Sequence, residues 1–413
     1  MPTSVGRFGL VHFWRVWQRC IACPAWHLPT LILDVPPLAK RTMHIQRLVL
    51  AHFRNHYRCS WAPTPGMNVL LGANAVGKTS LLEAIHVLAY GKSFRCRLSD
   101  GLIQRGSDAF DIFIEWSEPL EEWGTKQRRA GLHYGRSAWE GKLDGQSVRQ
   151  LGQLCAALRV ITFEPGSHAL INGVSQMRRR YLDWGLFHVE PDFWPTWRRY
   201  ARALKHRNSL LKQKVAIRLL DAWDYELAQA GEALTAMRSS YLTRLHAMLI
   251  HVSQVIAPCV ELNAITLSPG WKRDNQTLLD ALCRARDRDF QLGHTTLGPH
   301  RADWYPEFAS GVSPQEISRG QAKLMALSCL LAQAHDMAQQ FGQWPILLLD
   351  DFASELDRAH QSRVLQWLLS VPVQVLLTGA DSPSWEAKLK NLCAWFHVEH
   401  GGNVIRAVGS AEQ

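Results

Sequence analysis

Residues 72–79 read GANAVGKT, which is the pattern G-x-x-x-x-G-K-T. Gly72 and Gly77 allow the backbone amides of a tight loop to turn towards one point, where a phosphate group fits. Lys78 would reach the β- and γ-phosphates of a nucleotide, and the Thr79 hydroxyl would bind Mg²⁺. The remaining loop residues, whose backbone would surround the phosphates, are Ala73, Asn74, Ala75 and Val76.

The segments on both sides of this loop have the periodicity that such a site requires. Residues 67–71 are mostly apolar and predict a strand, and the apolar residues of 81–89 recur at helical spacing. A loop between a strand and a helix directs the N-terminus of that helix at the same anion. We therefore interpret residues 72–79 as a nucleotide-binding loop; a chance glycine-rich turn is the alternative.

A second segment has the residues that a magnesium nucleotide needs. Residues 346–351 read ILLLDD, an apolar strand that ends in two carboxylates, as in a Walker B strand. Asp350 would lie beside Mg²⁺, and Asp351 would orient or deprotonate the attacking water. Hydrolysis at such a site depends mostly on positioning and on neutralising charge.

A third segment separates the classes of phosphate-binding-loop proteins. SRGQ at 318–321 precedes a helical run, so Ser318 and the backbone of Gly320 lie at a helix N-terminus. This arrangement resembles the signature motif of ABC-type ATPases, which contacts the γ-phosphate held by the other subunit of a dimer. SELD at 354–357 is similar to the D-loop of the same class. The alternative is that SRGQ only caps its helix.

The composition indicates the class of protein that positions these residues. The 413 residues are 47% hydrophobic and 20% charged, which excludes an overall disordered or collagen-like chain. No run of 18 or more apolar residues occurs, so we expect no transmembrane helix and no membrane partner. The net charge of +10 favours a polyanionic partner, nucleic acid or an anionic surface, with a solvated basic surface as the alternative. Nine scattered cysteines indicate a reducing compartment.

The spacing of apolar residues changes along the chain. Residues 110–116, 158–163 and 373–377 predict strands, whereas residues 191–256 carry two apolar seams at helical spacing. The seams predict an antiparallel helical hairpin, with two ordinary core helices as the alternative. The first seam lies beside a row of basic residues that would contact DNA phosphates without reading sequence, unless the row is a solvated face. The residues assigned to DNA are Arg198, Arg199, Arg202, Lys205 and Arg207.

From residue 43 onward the chain resembles the RecF family of bacterial recombination mediators, which have an ABC/SMC-type ATPase head. The resemblance covers essentially all of residues 43–413 and consists of several long motifs in the same order. These are HFRNH at 52–56, GANAVGKTSLLEAIHVLAYGKSFR at 72–95, RRRYLDWGLFH at 178–188, LGPHRADW at 297–304, SRGQAKL at 318–324 and DDFASELD at 350–357.

The resemblance implies an α/β fold with a P-loop ATPase head assembled from both ends of the chain and an inserted, mainly helical lobe. The head is expected to comprise residues 43–165 and 290–413, and the helical lobe residues 166–289 with the short hairpin. Residues 1–42 lie outside the resemblance and carry five basic residues against one acidic residue. We expect them to be an N-terminal extension, either disordered or the product of a start assigned too early.

The resemblance further implies an ATP-dependent homodimer in the cytoplasm, with ATP and Mg²⁺ as cofactors. Such a dimer binds DNA at single-strand gaps and single-strand–double-strand junctions. With RecO and RecR it promotes the loading of RecA, and it is implicated in SOS induction. ATP hydrolysis is expected to be slow and stimulated by DNA. The alternatives are another SMC-like ATPase, an ABC transporter ATPase subunit, or a small-molecule kinase, which has no use for a signature motif.

By position, the resemblance assigns roles to residues of four motifs. The predicted catalytic set is Lys78, Asp350 and Asp351, with Ser318 and Gln321 acting in trans. Arg54 and Asn55 are expected near the nucleotide. This chain departs from the family pattern in two places, since Ala75 replaces a usual glycine and Asp351 replaces a usual glutamate. The residues that sense the γ-phosphate are not assigned, although Thr378 follows a predicted strand where a switch residue is expected.

Overall fold

The structure is a computed structural model. It describes residues 42–406 except for short gaps at 97, 99–100, 121–123, 137, 215–216, 274–275, 381–382, 384 and 400–403. The expectation for residues 1–42 therefore falls, apart from Thr42, outside the described residues.

In the described part of the chain, fourteen strands form three sheets. One sheet is a six-stranded antiparallel layer, one is a six-stranded and mainly parallel layer, and one is a two-stranded ribbon. The strands are β1 (His44–Phe53), β2 (His56–Trp61), β3 (Met67–Leu71), β4 (Ala109–Pro119), β5 (Thr125–Gly135), β6 (Trp139–Leu143), β7 (Gln146–Val148), β8 (Val160–Phe163), β9 (Leu262–Ser268), β10 (Asp303–Phe308), β11 (Ile346–Leu349), β12 (Val375–Thr378), β13 (Cys393–Val398) and β14 (Val404–Arg406).

Helices connect and cover these sheets. None of the described helices has the length and hydropathy that are needed to cross a bilayer. The α-helices are α1 (Lys78–Tyr90), α2 (Leu151–Ala157), α3 (Ala169–Asn172), α4 (Ser175–Val189), α5 (Phe193–Lys212), α6 (Asp221–Ile256), α7 (Leu278–Arg284), α8 (Arg286–Leu292), α9 (Arg319–Phe341), α10 (Phe352–Glu355), α11 (Arg358–Leu369) and α12 (Glu386–Leu389).

The mainly parallel sheet has the strand order β14-β13-β3-β12-β11-β8. Its strands β13, β3, β12, β11 and β8 run parallel, and every residue of β8, β11 and β12 is buried. Sheets covered on both faces require such continuous apolar strands, which explains ILLL in β11. β3 comes from the N-terminal part of the chain and its two neighbours from the C-terminal part. The predicted α/β head assembled from both ends of the chain is therefore confirmed.

The antiparallel sheet has the order β2-β1-β4-β5-β6-β7 and shares a hydrophobic core with the parallel sheet. One polar side chain also joins the two sheets. The amide of Gln374 is fully buried, accepts a hydrogen bond from Ile45 N at 2.7 Å, and donates to the carbonyls of Ile45 and Thr64, both at 2.9 Å. Because a buried amide must satisfy its donors and acceptors, Gln374 fixes β1 against the end of the parallel sheet.

The predicted helical pair within residues 191–256 is present as α5 and α6, which pack against each other. The LGPHRADW motif contacts this helical region. Arg178 of α4 forms a bidentate ion pair with Asp303, and Arg238 of α6 donates to Asp183 and to the carbonyl of Pro299. These contacts give the motif a structural role, because they attach α4 and α6 to the segment that leads into β10. The exact lobe boundaries stay predictions.

Candidate nucleotide-binding site

The glycine-rich loop lies where the sequence predicts it, between β3 and α1. Gly72 and Gly77 have φ angles of +149° and +111°, which favour glycine. A Cβ atom on Gly72 would lie 2.5 Å from the carbonyl oxygen of Val398, and one on Gly77 would lie 2.4 Å from Nε2 of His56. Both positions therefore require glycine on conformational and on steric grounds.

Ala75 adopts a left-handed backbone, with a φ of +66°. An alanine in this conformation costs about 1 kcal/mol or more, so neighbouring contacts must hold it. Asn55 donates its side-chain amide to the carbonyl of Ala75 at 2.9 Å, and the ring of His56 lies with Nε2 3.1 Å from the carbonyl of Gly77. The sequence predicts that Ala75 lacks the freedom of a glycine, and the structure shows which contacts fix it.

His56 supports the loop from a fully buried position that sequence reasoning missed. Burial lowers the pKa of its imidazole, so the ring is neutral at pH 7. Since a carbonyl only accepts, Nε2–H must donate to Gly77. The available signal was its place in the HFRNH motif, beside the two residues expected near the nucleotide.

Arg54 is part of the same turn, between β1 and β2. Its guanidinium pairs with the buried carboxylate of Glu83 on α1 at 2.6 and 2.8 Å and donates to the carbonyl of Gly101 at 2.8 Å. This pair raises the pKa of Arg54, although burial opposes it. Arg54 therefore fixes the turn against the helix that follows the loop.

Lys78 extends over the loop that precedes it. Its ammonium donates to the carbonyls of Gly72 and Ala73 at 2.6 and 2.7 Å, and the residue is buried. The side chain thus places one positive charge at the loop, close to where the amides of the α1 N-terminus point.

The carboxylates of the predicted Walker B strand meet the other side of the loop. Oδ1 of Asp350 accepts hydrogen bonds from the hydroxyls of Thr79 and Thr378, both at 2.8 Å. The backbone amide of Asp351 donates to the same Thr378 hydroxyl at 2.8 Å. Thr378, whose role the sequence leaves open, therefore links β12 to the carboxylate of Asp350 and to the backbone of Asp351.

Burial raises the pKa of Asp350, and the charge of Asp351 acts in the same direction, while the two threonine hydroxyls oppose this. A bound cation would offset the cost of burying this carboxylate. Carboxylate and hydroxyl oxygens are also the hard ligands that Mg²⁺ prefers. Thr79 and Asp350 therefore fit Mg²⁺, which when bound would neutralise charge on phosphate oxygens.

These residues line one cleft of about 1210 Å³. Its lining contains both cations and carboxylates. Cations for phosphate oxygens and carboxylates for a metal ion together suit a polyphosphate that carries a divalent cation. The predicted residues in the lining are Arg54, Asn55, Asn74, Ala75, Gly77, Lys78, Thr79, Asp350 and Asp351, and the lining also includes Arg95, Arg105, Glu164 and Thr378.

Glu164 is a third carboxylate of the cleft that sequence reasoning missed. It follows β8, the strand beside β11, and accepts a hydrogen bond from the amide of Gly166 at 2.6 Å. Burial raises its pKa, with smaller contributions from the charges of Asp350 and Glu355. The signal was an acidic residue directly after the predicted strand 158–163, because parallel strands end at the same edge of a sheet.

The signature residues do not line this cleft. Ser318 and Gln321 cap α9 reciprocally: the serine hydroxyl accepts from the amide of Gln321 at 3.2 Å, and the glutamine carbonyl accepts from the amide of Ser318 at 3.0 Å. Ser318 is exposed, and its O–H can still donate outwards while its oxygen accepts. Lys323 of the same helix pairs with Glu355 at 2.6 Å.

The predicted DNA-binding residues on α5 divide into two groups. Arg198, Arg199, Arg202 and Lys205 are exposed, and Arg199 pairs with Glu226 at 2.6 and 2.7 Å. Arg207 is fully buried, where it donates to Asp224 at 2.5 Å and to Asp289 at 2.7 Å. A guanidinium enclosed by two carboxylates has no route to a phosphate, so the assignment of Arg207 to DNA is wrong.

Comparison with known proteins agrees with this geometry. The model of the RecF/RecN/SMC N-terminal domain family matches residues 44–402. The DNA replication and repair protein RecF of Xanthomonas euvesicatoria pv. vesicatoria (strain 85-10) is 55% identical over 359 residues, 87% of this chain and 98% of the relative. RecF of Pseudomonas putida (strain W619) is 35% identical, over 87% of this chain and 97% of the relative.

Solved structures show the same fold. The recombination mediator protein RecF with ATP, in the RecFOR pathway, aligns with a TM-score of 0.78 at 24% identity, over 90% of this chain and 99% of that chain. An Smc head domain from Pyrococcus furiosus aligns with a TM-score of 0.53 at 12% identity, over 89% of this chain and 96% of that chain. The fold, the loop, the carboxylate pair and the relatives agree, and the chain belongs to the RecF family of DNA replication and repair proteins.

Proposed function

We propose that this protein is an ATP-dependent DNA-binding protein of recombinational repair and replication-fork maintenance, which closes as a head-to-head dimer around two ATP molecules. The observation that carries the proposal is the division of the site. The cleft has the phosphate loop and the magnesium ligands, whereas Ser318 and Gln321 lie on the surface outside it. A second copy of the chain is therefore needed to bring a signature helix to the γ-phosphate.

Within the cleft each residue has a separate task. The loop amides and Lys78 bind the phosphates, and Thr79 and Asp350 hold Mg²⁺. Asp351 lies next to Asp350 and is the candidate for orienting the attacking water. The shorter reach of aspartate, compared with the usual glutamate, supports slow turnover of ATP. DNA bound by the closed dimer would stimulate that turnover.

The relatives' names support a proposal for the finer cellular role. Since solved relatives are described as members of the RecFOR pathway, we infer that this protein acts at single-strand gaps and single-strand–double-strand junctions in the cytoplasm. There it would work with RecR and RecO to load RecA, and would thereby contribute to SOS induction.

The test of the proposal is the mass of the full chain in solution, measured by light scattering with and without Mg-ATP. We expect a monomer without nucleotide and a dimer with it. Ser318→Arg and Gly320→Glu should each weaken ATP-dependent association at least about 100-fold, because they place bulk or negative charge against the partner's phosphate. A Cβ on Gly320 would meet only Ser318 Oγ, at 4.0 Å, so the monomer tolerates the change.

The matched control is Ser370→Arg, a change of the same type at the exposed end of α11. It should dimerise like the wild type, and all three variants should bind ATP with wild-type affinity. A wild-type protein that remains monomeric while it binds Mg-ATP would overturn the gated dimer.

A second prediction concerns the exposed basic residues of α5. Arg202→Glu combined with Lys205→Glu should weaken duplex DNA binding about 10-fold or more and flatten its salt dependence, because fewer counterions are released. Fluorescence anisotropy between about 50 and 200 mM salt measures both effects. The control is Lys126→Glu combined with Lys142→Glu, the same change of charge on β5 and β6. Equal affinity and slope in both double variants would remove α5 from the DNA site.

A further inference from the structure

A second cavity, of about 860 Å³, lies where the end of α1 meets α4 and the start of α5. We name it the aromatic groove. Its size falls in the range of about 300–1,000 Å³ that is usual for ligand sites. Nine aromatic side chains line the groove, and two of them, Tyr181 and Phe193, are buried core residues. The other seven are His86, Tyr90, Phe94, Trp184, Phe187, Trp194 and Trp197.

These seven rings form one connected run. His86 stacks on Tyr90 at 4.0 Å between ring centroids, and Tyr90 stacks on Trp184 at 3.8 Å. Trp184 contacts Phe187 at 5.9 Å, and Phe187 contacts Trp194 at 5.6 Å. At the outer end the indoles of Trp194 and Trp197 stack at 5.3 Å with only 6° between their planes. The run therefore extends from the protein interior to its surface.

Most of these rings are not core residues. His86 is buried, but Tyr90, Phe94, Trp184, Phe187 and Trp197 are only partly buried, and Trp194 is 38% exposed. Leaving so much aromatic surface in contact with water gives up stabilisation that full burial would provide. A row of partly exposed aromatic rings is the kind of surface on which nucleic-acid bases stack.

Two cations lie in the lining of the aromatic groove, Lys92 and Arg180. Both are exposed, and neither forms an ion pair with a carboxylate among the described residues. Asp183, which also lines the groove, is already paired with Arg238. Glu164, the second carboxylate of the lining, accepts a hydrogen bond from the amide of Gly166 and forms no ion pair with either cation among the described residues. Two neighbouring cations without a carboxylate partner of their own favour an anionic ligand.

Two ring nitrogens in the run have no hydrogen-bond partner within the part of the chain that the structure describes. They are Nε1 of Trp184 and Nε2 of His86. Nδ1 of His86 is already engaged with the hydroxyl of Thr162 at 2.9 Å. Buried polar atoms are normally paired, so these two nitrogens are exceptions within the run of rings.

The outer end of the run continues into the basic helix. Trp194 and Trp197 belong to the first turns of α5, and the exposed Arg198, Arg202 and Lys205 follow on the same helix. Aromatic rings followed by cations are the combination with which proteins hold single strands, since every base has a stacking face and every nucleotide a phosphate.

We propose that the aromatic groove binds single-stranded DNA, with bases stacked along the rings and phosphates held by Lys92, Arg180 and then the basic face of α5. The proposal rests on the proposed function as a DNA-binding protein and assigns a separate site to the unpaired strand. Phe94 and Glu164 line both this groove and the nucleotide cleft. Single-stranded DNA in the groove would therefore be separated from the nucleotide cleft by these shared residues.

The test uses the full chain and a fluorescein-labelled oligothymidylate of about 12 nucleotides, with binding followed by anisotropy. Trp194→Ala and Arg180→Glu should each weaken binding about 10-fold or more, and Trp194→Phe should restore most of the affinity lost by Trp194→Ala. Arg180→Glu should also lower the salt dependence, whereas Trp194→Ala should not. The matched control is Tyr305→Ala, which removes an aromatic ring that is 40% exposed on β10.

Failure of this proposal differs from failure of the proposed function. If Trp194→Ala and Arg180→Glu bind oligothymidylate like Tyr305→Ala, the groove is not the single-strand site. That result holds whether or not Mg-ATP drives dimerisation and whether or not duplex DNA binds. Conversely, weakened oligothymidylate binding supports the groove even if the protein remains monomeric with ATP.

Discussion

Lys78→Met is expected to weaken ATP binding about 100-fold. The substitution removes a positive charge and charge-assisted hydrogen bonds to phosphate, each of which contributes roughly 1.5–3 kcal/mol. It also removes the bridge from the ammonium to the carbonyls of Gly72 and Ala73, which holds the loop closed. Titration calorimetry with Mg-ATP measures the affinity directly.

Thermal stability gives a second readout of the same variant. At an ATP concentration about 100 times the wild-type Kd, binding adds about 2.7 kcal/mol to wild-type stability. The same concentration would add only about 0.4 kcal/mol to Lys78→Met if its Kd is 100-fold higher. Lys126→Met on β5 is the control and should match the wild type. Wild-type affinity in Lys78→Met would show that ATP binds elsewhere.

Asp351→Asn is expected to slow ATP hydrolysis about 100-fold or more while leaving ATP affinity within a few-fold of the wild type. Losing a base that orients or deprotonates water costs typically 10²–10⁴-fold in rate. Asp351 has a φ of +52°, a conformation that asparagine adopts readily, so the backbone should be preserved. The ATP-bound dimer of this variant should therefore outlast that of the wild type.

Single-turnover phosphate release, with and without DNA, measures this effect. Asp350→Asn is the informative comparison, because Asp350 accepts hydrogen bonds from Thr79 and Thr378. This substitution should change the Mg²⁺ dependence of hydrolysis as well as its rate. Unchanged hydrolysis in Asp351→Asn would exclude Asp351 as the water-orienting group. Glu164→Gln would then test the third carboxylate of the cleft.

The sequence predicts those parts of the site in which one short segment contains both the structural element and the functional side chains. GANAVGKT and ILLLDD each hold a strand or loop and its chemical groups together, so the spacing alone predicts their place. Thr378, Glu164 and His56 could not be assigned in this way. Each comes from a different strand end or turn, and only the folded arrangement of the two sheets brings them to the loop.

The error at Arg207 has a physical reason that the sequence contained. Tyr200, Ala203, Arg207 and Leu211 are all buried and recur every three or four residues on α5. Arg207 therefore lies on the apolar stripe of the helix and not on the basic face. The periodicity predicts this stripe, whereas the charge of Arg207 favours the basic face. The sequence does not show which is correct, because the carboxylate partners of Arg207 are distant along the chain. Asp224 lies 17 residues away and Asp289 lies 82 residues away.

The position of β3 in the parallel sheet has a consequence for synthesis of the protein on the ribosome. β3 is made within the first 71 residues, yet its neighbours β12 and β13 begin only at Val375 and Cys393. The apolar strand β3 therefore remains unpaired until almost the whole chain has been synthesised. Such long-range pairing is slow, and an unpaired apolar strand is prone to aggregation. A nascent chain cut off before residue 375 would contain every residue of the glycine-rich loop and still be unable to form the site.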